Sequence, residues 1–244
     1  MATVVFDRDV GAQFLAYARR VVARGYIHNS LGNMAVRVRH ADFEHGVAYT
    51  KHAEVSLEEM TLDNIVITDI PTGGLLHGTV PTSVGHRLNR EILRLRADVD
   101  AVIHVHHDEA VAFFASRAFK ELRVLSLEFP YVMGRAPWVV PSHLDVEQDV
   151  SPIRAFIEHT NALIMENHGV TTLGRTLSEA YHRLNTLTSE VRRNILAERL
   201  AGLRGTEVHY LEQGAVDWMY GVADHVIYPS RSEDPAAARS SKPA

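Results

Sequence analysis

The chain has 244 residues, of which 46% are hydrophobic, a length that suits one domain with a substantial core rather than two enzymatic domains. Its formal net charge of −5 and its scattered arginines give no basic surface for sequence-independent nucleic-acid binding, and no stretch approaches the roughly 20 apolar residues of a membrane helix. The absence of cysteine excludes disulfides, thiolate metal ligands and a cysteine nucleophile. Because no signal peptide is evident, we expect a cytoplasmic protein.

The first hundred residues predict a helix, a small sheet and a second helix. Apolar residues recur at helical spacing over 7–26, and Gly25 closes the pattern. Runs rich in Val and Ile, separated by polar loops, predict short strands over 34–38, 47–50 and 64–69. Pro81 and Thr82 precede an amphipathic helix that we expect to continue through Arg96.

The rest of the chain predicts strands alternating with helices. We expect a strand that carries His104 and His106, a helical segment over 111–115, a strand over 124–129, and paired strands over 163–165 and 170–173. A long helix is expected from Ser178 towards Leu200, with Gly202 just past its end. The domain is expected to span residues 1–229, and residues 230–244 have the composition of a disordered tail.

Two histidines lie on one predicted strand, in the segment 101–109 (AVIHVHHDE). Alternate residues of a strand share a face, so His104 and His106 point to the same side, as two metal ligands would. The chain contains 15 His, however, and about one His-x-His pair is expected by chance at that abundance. A third histidine, His168, stands at a polar Asn-His-Gly corner between two apolar strands, where ligands commonly bind in mixed α/β proteins.

Several motifs in a fixed order make the chain resemble the class II aldolase/adducin family over roughly residues 13–200. They are residues 32–37 (GNMAVR), similar to the family's Gly-Asn-x-Ser-x-Arg corner, a loop near Thr50, a Pro-Thr-Ser helix start, residues 98–106 (DVDAVIHVH) and residues 167–169 (NHG). The resemblance implies a mixed α/β domain with a central, mainly antiparallel sheet flanked by helices. It also implies a divalent metal bound by His104, His106 and His168, and a homotetramer with fourfold symmetry.

Other folds that use a His-x-His pair fit less well. A metallo-β-lactamase motif needs a histidine where Glu109 stands, and a cupin needs a strand where residues 109–114 look helical.

The chain departs from the aldolases of this family at the helix start. Those aldolases carry a Ser-Ser-Glu whose glutamate is the acid/base and can touch the metal, whereas this chain reads TSVGH over 82–86. Neither Val84 nor Gly85 can move a proton. His86 is a candidate substitute, although as the next helical residue it points about a quarter-turn away.

The loop corresponding to the family's phosphate pocket also differs. Sugar-phosphate members use a Thr-Pro-Ser/Thr-Gly loop and the serine of the Gly-Asn corner, whereas this chain has TKHA over 50–53 and Ala35. Lys51 or His52 is a candidate to bind a substrate carboxylate, and the alternative is that both decorate a solvated loop. A non-phosphorylated acid is the expected substrate.

Within the family, the departures at 82–86 and 31–35 resemble the non-haem iron oxygenases of aminocoumarin-antibiotic biosynthesis. That resemblance implies Fe²⁺ and dioxygen, and oxidative decarboxylation of a prenylated 4-hydroxyphenylpyruvate or mandelate towards a 4-hydroxybenzoate. The alternative is a Zn²⁺ or Mn²⁺ aldolase or decarboxylase acting on a non-phosphorylated hydroxy acid. A non-enzymatic, adducin-like scaffold is disfavoured because all three ligand positions are histidine.

Several other residues have two interpretations each. An apolar pocket or ordinary core packing would account for Phe113, Phe114, Met133 and Trp138. Support of the metal ligands or surface charge would account for Asp108, Glu109 and Glu166, and a subunit interface is plausible for Tyr210, Trp218 and Tyr220.

Overall fold

The computed structural model describes residues 4–79, 81–116 and 122–228. The strands over these residues are β1 (Asn33–His40), β2 (Phe43–Lys51), β3 (Ile65–Asp69), β4 (Leu75–His77), β5 (Ala101–Val105), β6 (Trp138–Val140), β7 (Ala162–Met165) and β8 (Gly169–Gly174). These eight strands form one sheet in the order β4-β3-β2-β1-β5-β8-β7-β6, and every neighbouring pair is antiparallel except β6 and β7. The helices are α1 (Arg8–Ala23), α2 (His86–Leu95), α3 (Asp108–Ala115), α4 (Glu128–Met133), α5 (Arg154–Ile157), α6 (Leu177–Arg204) and α7 (Gln213–Ile227).

Apolar side chains cover both faces of the sheet, which gives two cores. Strand β5 shows the alternation, because Ile103 and Val105 belong to the core packed by α1 and α6, whereas Val102 belongs to the core packed by α2. His104 alternates with these residues and therefore shares the α2 face with Val102. The predicted mixed α/β fold with a mainly antiparallel, helix-flanked sheet is confirmed.

Most predicted elements are present with shifted ends. Helix α2 begins only at His86, because Thr82 forms an isolated bridge with His52 instead of the first helical turn. Helix α6 runs past Gly202 to Arg204, and Gly205 ends it in the left-handed conformation with φ of 62°.

The strand predicted over 124–129 is wrong. The backbone N–H of Ser126 donates to the buried carboxylate of Glu190 at 3.0 Å, and helix α4 begins at Glu128. The carboxylate of Glu190 thus accepts a backbone hydrogen bond that a neighbouring strand would accept if this apolar run were a strand.

The expected tail, residues 230–244, lies outside the described residues. In the described part of the chain, no helix combines the length and apolarity that crossing a bilayer demands.

Candidate metal centre

His104 lies inside the sheet, near the end of β5. Its register partners are Asn33 on β1 and Thr171 on β8, and its side chain is buried. The Thr171 hydroxyl lies 3.0 Å from His104 Nδ1, which fixes the ring and leaves Nε2 facing the site.

His106 stands just beyond the last residue of β5 and still follows the strand alternation. Its Nε2 lies 2.9 Å from Nε2 of His104. His107 turns to the opposite side, where it accepts a hydrogen bond from the backbone N–H of Ala110 and packs edge-on against Tyr26. This histidine therefore starts α3 and stabilises its first turn.

His168 reaches the site from the tight turn between β7 and β8. Asn167 adopts a positive φ of 58° there, a conformation that asparagine tolerates better than most residues. The next strand begins at Gly169, where an added Cβ would lie 2.3 Å from the carbonyl oxygen of Val105. Glycine thus permits the close approach of β8 to β5 that brings His168 beside His106.

The three histidines converge on one point. Their ring centroids are 4.8–5.1 Å apart, and each offers a nitrogen within 4.8 Å of the other two. Burial, with the neighbouring imidazoles as a smaller cause, lowers the pKa of His104 well below its usual value and that of His106 to about 4. Imidazole nitrogens at this spacing are suitable ligands for a divalent transition metal, so the residues fit the metal ion that the sequence predicted.

A cavity of about 240 Å³ opens beside the histidines. Leu31 and Val84 line it and are 59% and 64% exposed, so its mouth is apolar. Its wall also includes Ser83, whose buried hydroxyl makes no hydrogen bond within the described part of the chain. The side-chain NH₂ of Asn33 is likewise buried without a partner among the described residues. Such groups are available to bind a polar ligand.

Glu147 is a functional candidate that the sequence analysis missed. Its Oε1 lies 4.0 Å from Nε2 of His104, and its Oε2 lies 3.7 Å from Nε2 of His168. Burial raises the pKa of this carboxyl above its ordinary value. Glu147 belongs to an irregular loop without periodicity, so the only available signal was the chemistry of its side chain.

The structure does not bring the other three predicted site residues to the metal ligands. Lys51 Nζ donates to the carbonyls of Ser30 and Val55, each at 2.7 Å, and burial lowers its pKa to about 8. Its amine supports the wall of the cavity. His52 lies against Asn64, with Nε2 2.8 Å from Nδ2.

His86 is buried on the far side of the helix start. Its Nε2 lies 2.8 Å from the hydroxyl of Thr68, and burial lowers its pKa to about 3. The side chain of His86 points about a quarter-turn away from position 85, as expected, and this difference is large enough to direct its ring into the core.

The residues for which the sequence left both a functional and a structural interpretation mostly have structural roles. Phe113, Phe114 and Met133 are buried in the core on the α6 side of the sheet, and Trp138 stacks on Phe156 at 4.0 Å, so they do not line the cavity at the histidines.

The acidic candidates pair elsewhere. Asp108 contacts His28, Glu109 contacts Arg192, and Glu166 accepts from the backbone of Ser142. Tyr210 packs against the guanidinium of Arg123 at 3.7 Å. Trp218 and Tyr220 lie on α7, which packs against α4. An interface role for these aromatic residues stays a prediction.

Comparison with known proteins decides the family. The family model described as "Class II Aldolase and Adducin N-terminal domain" matches residues 12–193 and includes all three histidines. The chain belongs to this family. The L-fuculose phosphate aldolase of Methanococcus maripaludis is 26% identical over 191 residues, 77% of this chain and 97% of that protein. The protein of the same name from Methanocaldococcus jannaschii is 27% identical over 187 residues, 75% of this chain and 94% of that protein.

A solved structure supports the same assignment at the level of the fold. YgbL of Klebsiella pneumoniae superposes with a TM-score of 0.75, at 19% identity, over 88% of this chain and 100% of that one. The class II aldolase family and fold predicted from the sequence are thus confirmed. The narrower resemblance to the aminocoumarin oxygenases is not shown, and the relatives described here carry aldolase names.

Proposed function

We propose that this protein is a divalent-metal-dependent lyase that cleaves or decarboxylates a small, non-phosphorylated hydroxy or oxo acid. The observation that carries the proposal is the convergence of His104, His106 and His168 beside a cavity in a chain of the class II aldolase family. The aldolase names of the relatives favour this chemistry over oxidation.

The proposed metal is Zn²⁺ or Mn²⁺, held by these three histidines. When bound, such an ion polarises a carbonyl oxygen and stabilises the negative charge that develops as a carbon–carbon bond breaks. The Thr171 hydroxyl holds the ring of His104 in place for this task. Ser83 supplies an uncommitted hydroxyl for an oxygen atom of the substrate, the uncommitted amide of Asn33 lies behind Gly85 in the wall, and Leu31 and Val84 make the mouth of the cavity apolar.

The proposal of a non-phosphorylated substrate rests on the groups missing from the phosphate-binding positions. The hydroxyl of Thr50 donates to the carbonyl of Met34 at 2.7 Å, Lys51 is committed to two loop carbonyls, and Ala35 has no hydroxyl. These side chains leave few hydrogen-bond donors for a phosphate, which is typically bound by several N–H and O–H groups.

An Fe²⁺ oxygenase acting on an aromatic oxo acid is the second candidate. It is favoured by the three imidazoles, which suit iron as well as zinc, and by the apolar mouth of the cavity. The lack of a glutamate at residues 82–86 also favours this candidate, because a site without a carboxylate leaves positions on the metal for substrate and dioxygen. The carboxylate of Glu147 beside the histidines weakens that reason.

Turnover without oxygen distinguishes the two candidates. The protein is loaded separately with Zn²⁺, Mn²⁺ or Fe²⁺ and incubated, in anaerobic and in air-saturated buffer, with a 4-hydroxy-2-oxo acid, an aryl mandelate, an arylpyruvate and L-fuculose 1-phosphate. Cleavage of an unphosphorylated acid supports the proposal. Turnover that requires oxygen together with Fe²⁺ would establish the oxygenase instead, and a preference for the sugar phosphate would overturn the proposed substrate class.

Quaternary structure needs its own measurement. We propose a homotetramer, as the family resemblance implies, and light scattering of the purified protein tests it. A monomer at micromolar concentration would refute this part of the proposal.

A further inference from the structure

Glu147 is held beside the histidines by its neighbours in the loop. Val146 and Val150 are buried in the core that α2 packs against, so they anchor the loop on both sides of the glutamate. The backbone N–H of Asp149 donates to the carbonyl of Asp145 at 2.9 Å, which closes the turn between these anchors. Glu147 therefore projects from an anchored turn.

Gly85 provides the space that this carboxylate occupies. A Cβ added at Gly85 would lie 2.3 Å from Oε1 of Glu147 and 2.5 Å from Nδ2 of Asn33. The φ of Gly85 is −64°, which any residue adopts, so the backbone does not require glycine. The missing side chain is explained by the close approach of the Glu147 carboxylate and of the Asn33 amide.

The two oxygens of Glu147 are also near the position that a fourth metal ligand would take. Oε1 lies 4.0 Å from Nε2 of His104, and Oε2 lies 3.7 Å from Nε2 of His168, so the carboxylate faces two of the nitrogens that would hold the ion. A carboxylate oxygen is also a common ligand of zinc. One carboxylate would also lower the net charge of a divalent ion bound by three neutral histidines to +1.

We infer that Glu147 supplies the carboxylate of this site, as a donor to the metal in the substrate-free protein and as the proton carrier in the reaction. The side chain comes from the loop over 145–149 and not from the start of α2. The proton-carrier role rests on the proposed lyase function, whereas the place beside the metal does not.

The proton-transfer step balances without any other reactant. The carboxylate of Glu147 takes the proton of the substrate hydroxyl as the carbon–carbon bond breaks, so that the alcohol carbon becomes a carbonyl and the bonding electrons form an enolate. The same carboxylic acid then returns its proton to the enolate carbon, which restores the carboxylate.

Cobalt binding tests the place of Glu147 without a substrate. The protein is titrated with Co²⁺, and its visible spectrum and affinity are measured. We expect Glu147→Gln to change the spectrum and to weaken binding about 10-fold or more, and Gly85→Ala to act in the same direction because its methyl group displaces the carboxylate. In a Glu147→Ala background, the effect of Gly85→Ala should be much smaller than in the wild type, because only its contact with the amide of Asn33 remains. Asp149→Asn removes an exposed charge from the same loop and serves as the matched control.

A wild-type spectrum and affinity for Glu147→Gln would overturn the place of Glu147 at the metal. The same holds if Gly85→Ala weakens Co²⁺ binding as much in the Glu147→Ala background as in the wild type, because its effect would then not depend on the carboxylate.

Deuterium exchange tests the proton-carrier role. Pyruvate is the probe, and the loss of its methyl protons in D₂O is followed by NMR with Co²⁺ at saturating concentration for each variant. Glu147→Gln should slow exchange about 100-fold or more, and Glu147→Asp should retain part of the rate. Equal rates in the wild type and Glu147→Gln would refute this role. No exchange in the wild type would count against the lyase function, while the Co²⁺ spectra would still decide whether Glu147 is beside the metal.

Discussion

Lys51 was a candidate for binding a substrate carboxylate, and its contacts assign it a structural role that a single substitution tests. Its side chain is fully buried, and its amine donates two hydrogen bonds of 2.7 Å to the carbonyls of Ser30 and Val55. Lys51→Met retains the length of the side chain and removes both bonds. Hydrogen bonds to charged groups contribute roughly 1.5–3 kcal/mol each, but both carbonyls are partly accessible to water, so we expect a loss of about 2 kcal/mol.

The dependence of this effect on pH follows from the pKa of Lys51. Burial lowers the pKa to about 8 in the folded chain from an ordinary value of 10.5, so between these pH values the unfolded chain binds a proton that the folded chain has released. The free energy of unfolding therefore rises with pH in this window, by at most about 1.4 kcal/mol per pH unit. Methionine does not titrate, so the stability advantage of the wild type over Lys51→Met should grow from pH 8 to 10.5.

Urea unfolding at pH 7 and pH 9.5, followed by circular dichroism at one protein concentration, measures both effects. At pH 7 a loss of about 2 kcal/mol corresponds to a fall of about 4–8 °C in Tm for a chain of this size. Arg19→Met, which removes an exposed cation from α1, should change stability by no more than about 0.5 kcal/mol. Unchanged stability of Lys51→Met, together with a raised KM for a carboxylate substrate, would refute the structural role and restore the predicted one.

Three further outcomes are expected. His104→Ala should abolish metal uptake, measured by metal analysis of the purified protein, while far-ultraviolet circular dichroism stays that of the wild type. Thr171→Val should weaken metal binding about 10- to 100-fold, because it removes the hydroxyl that lies 3.0 Å from Nδ1 of His104; unaltered affinity would show that the ring needs no such support. Burial lowers the pKa of His86 to about 3, below its unfolded value of 6.5, so the unfolded chain gains a proton first as pH falls. Stability should thus decline from pH 6.5 to 4 more steeply in the wild type than in His86→Gln, and parallel curves would contradict the burial argument.

The sequence predicts His104, His106 and His168 as candidate metal ligands through a local signal at each position and through the family resemblance. His104 and His106 obey the two-residue period of a strand, and the Asn-His-Gly corner breaks two apolar runs at His168. Glu147 has no comparable signal. Its position depends on where the packing of Val146 and Val150 places a loop, and on the space above Gly85. These are contacts between residues distant in sequence, which periodicity does not contain.

The same distinction explains the errors in the fold. The long periodic segments that became α1 and α6 were predicted, whereas the apolar run over 124–129 satisfies the strand pattern and the buried-loop pattern equally well. Glu190, more than sixty residues later, decides between them by accepting the backbone N–H of Ser126. Strand β6 has three residues and pairs in parallel with β7, so its existence also depends on a distant partner.

The three candidate ligands come from two chain segments that meet where β5 ends and β8 begins. His104 and His106 belong to β5 and its end, and His168 belongs to the turn that joins β7 to β8. A bound ion would therefore cross-link these segments, and an ion at 100 times its Kd would add about 2.7 kcal/mol to the stability of the folded state. Because local opening of the turn would break the cross-link, the backbone amides of residues 165–170 should exchange with deuterated water more slowly in the metal-loaded protein, whereas those of α7 should be unaffected.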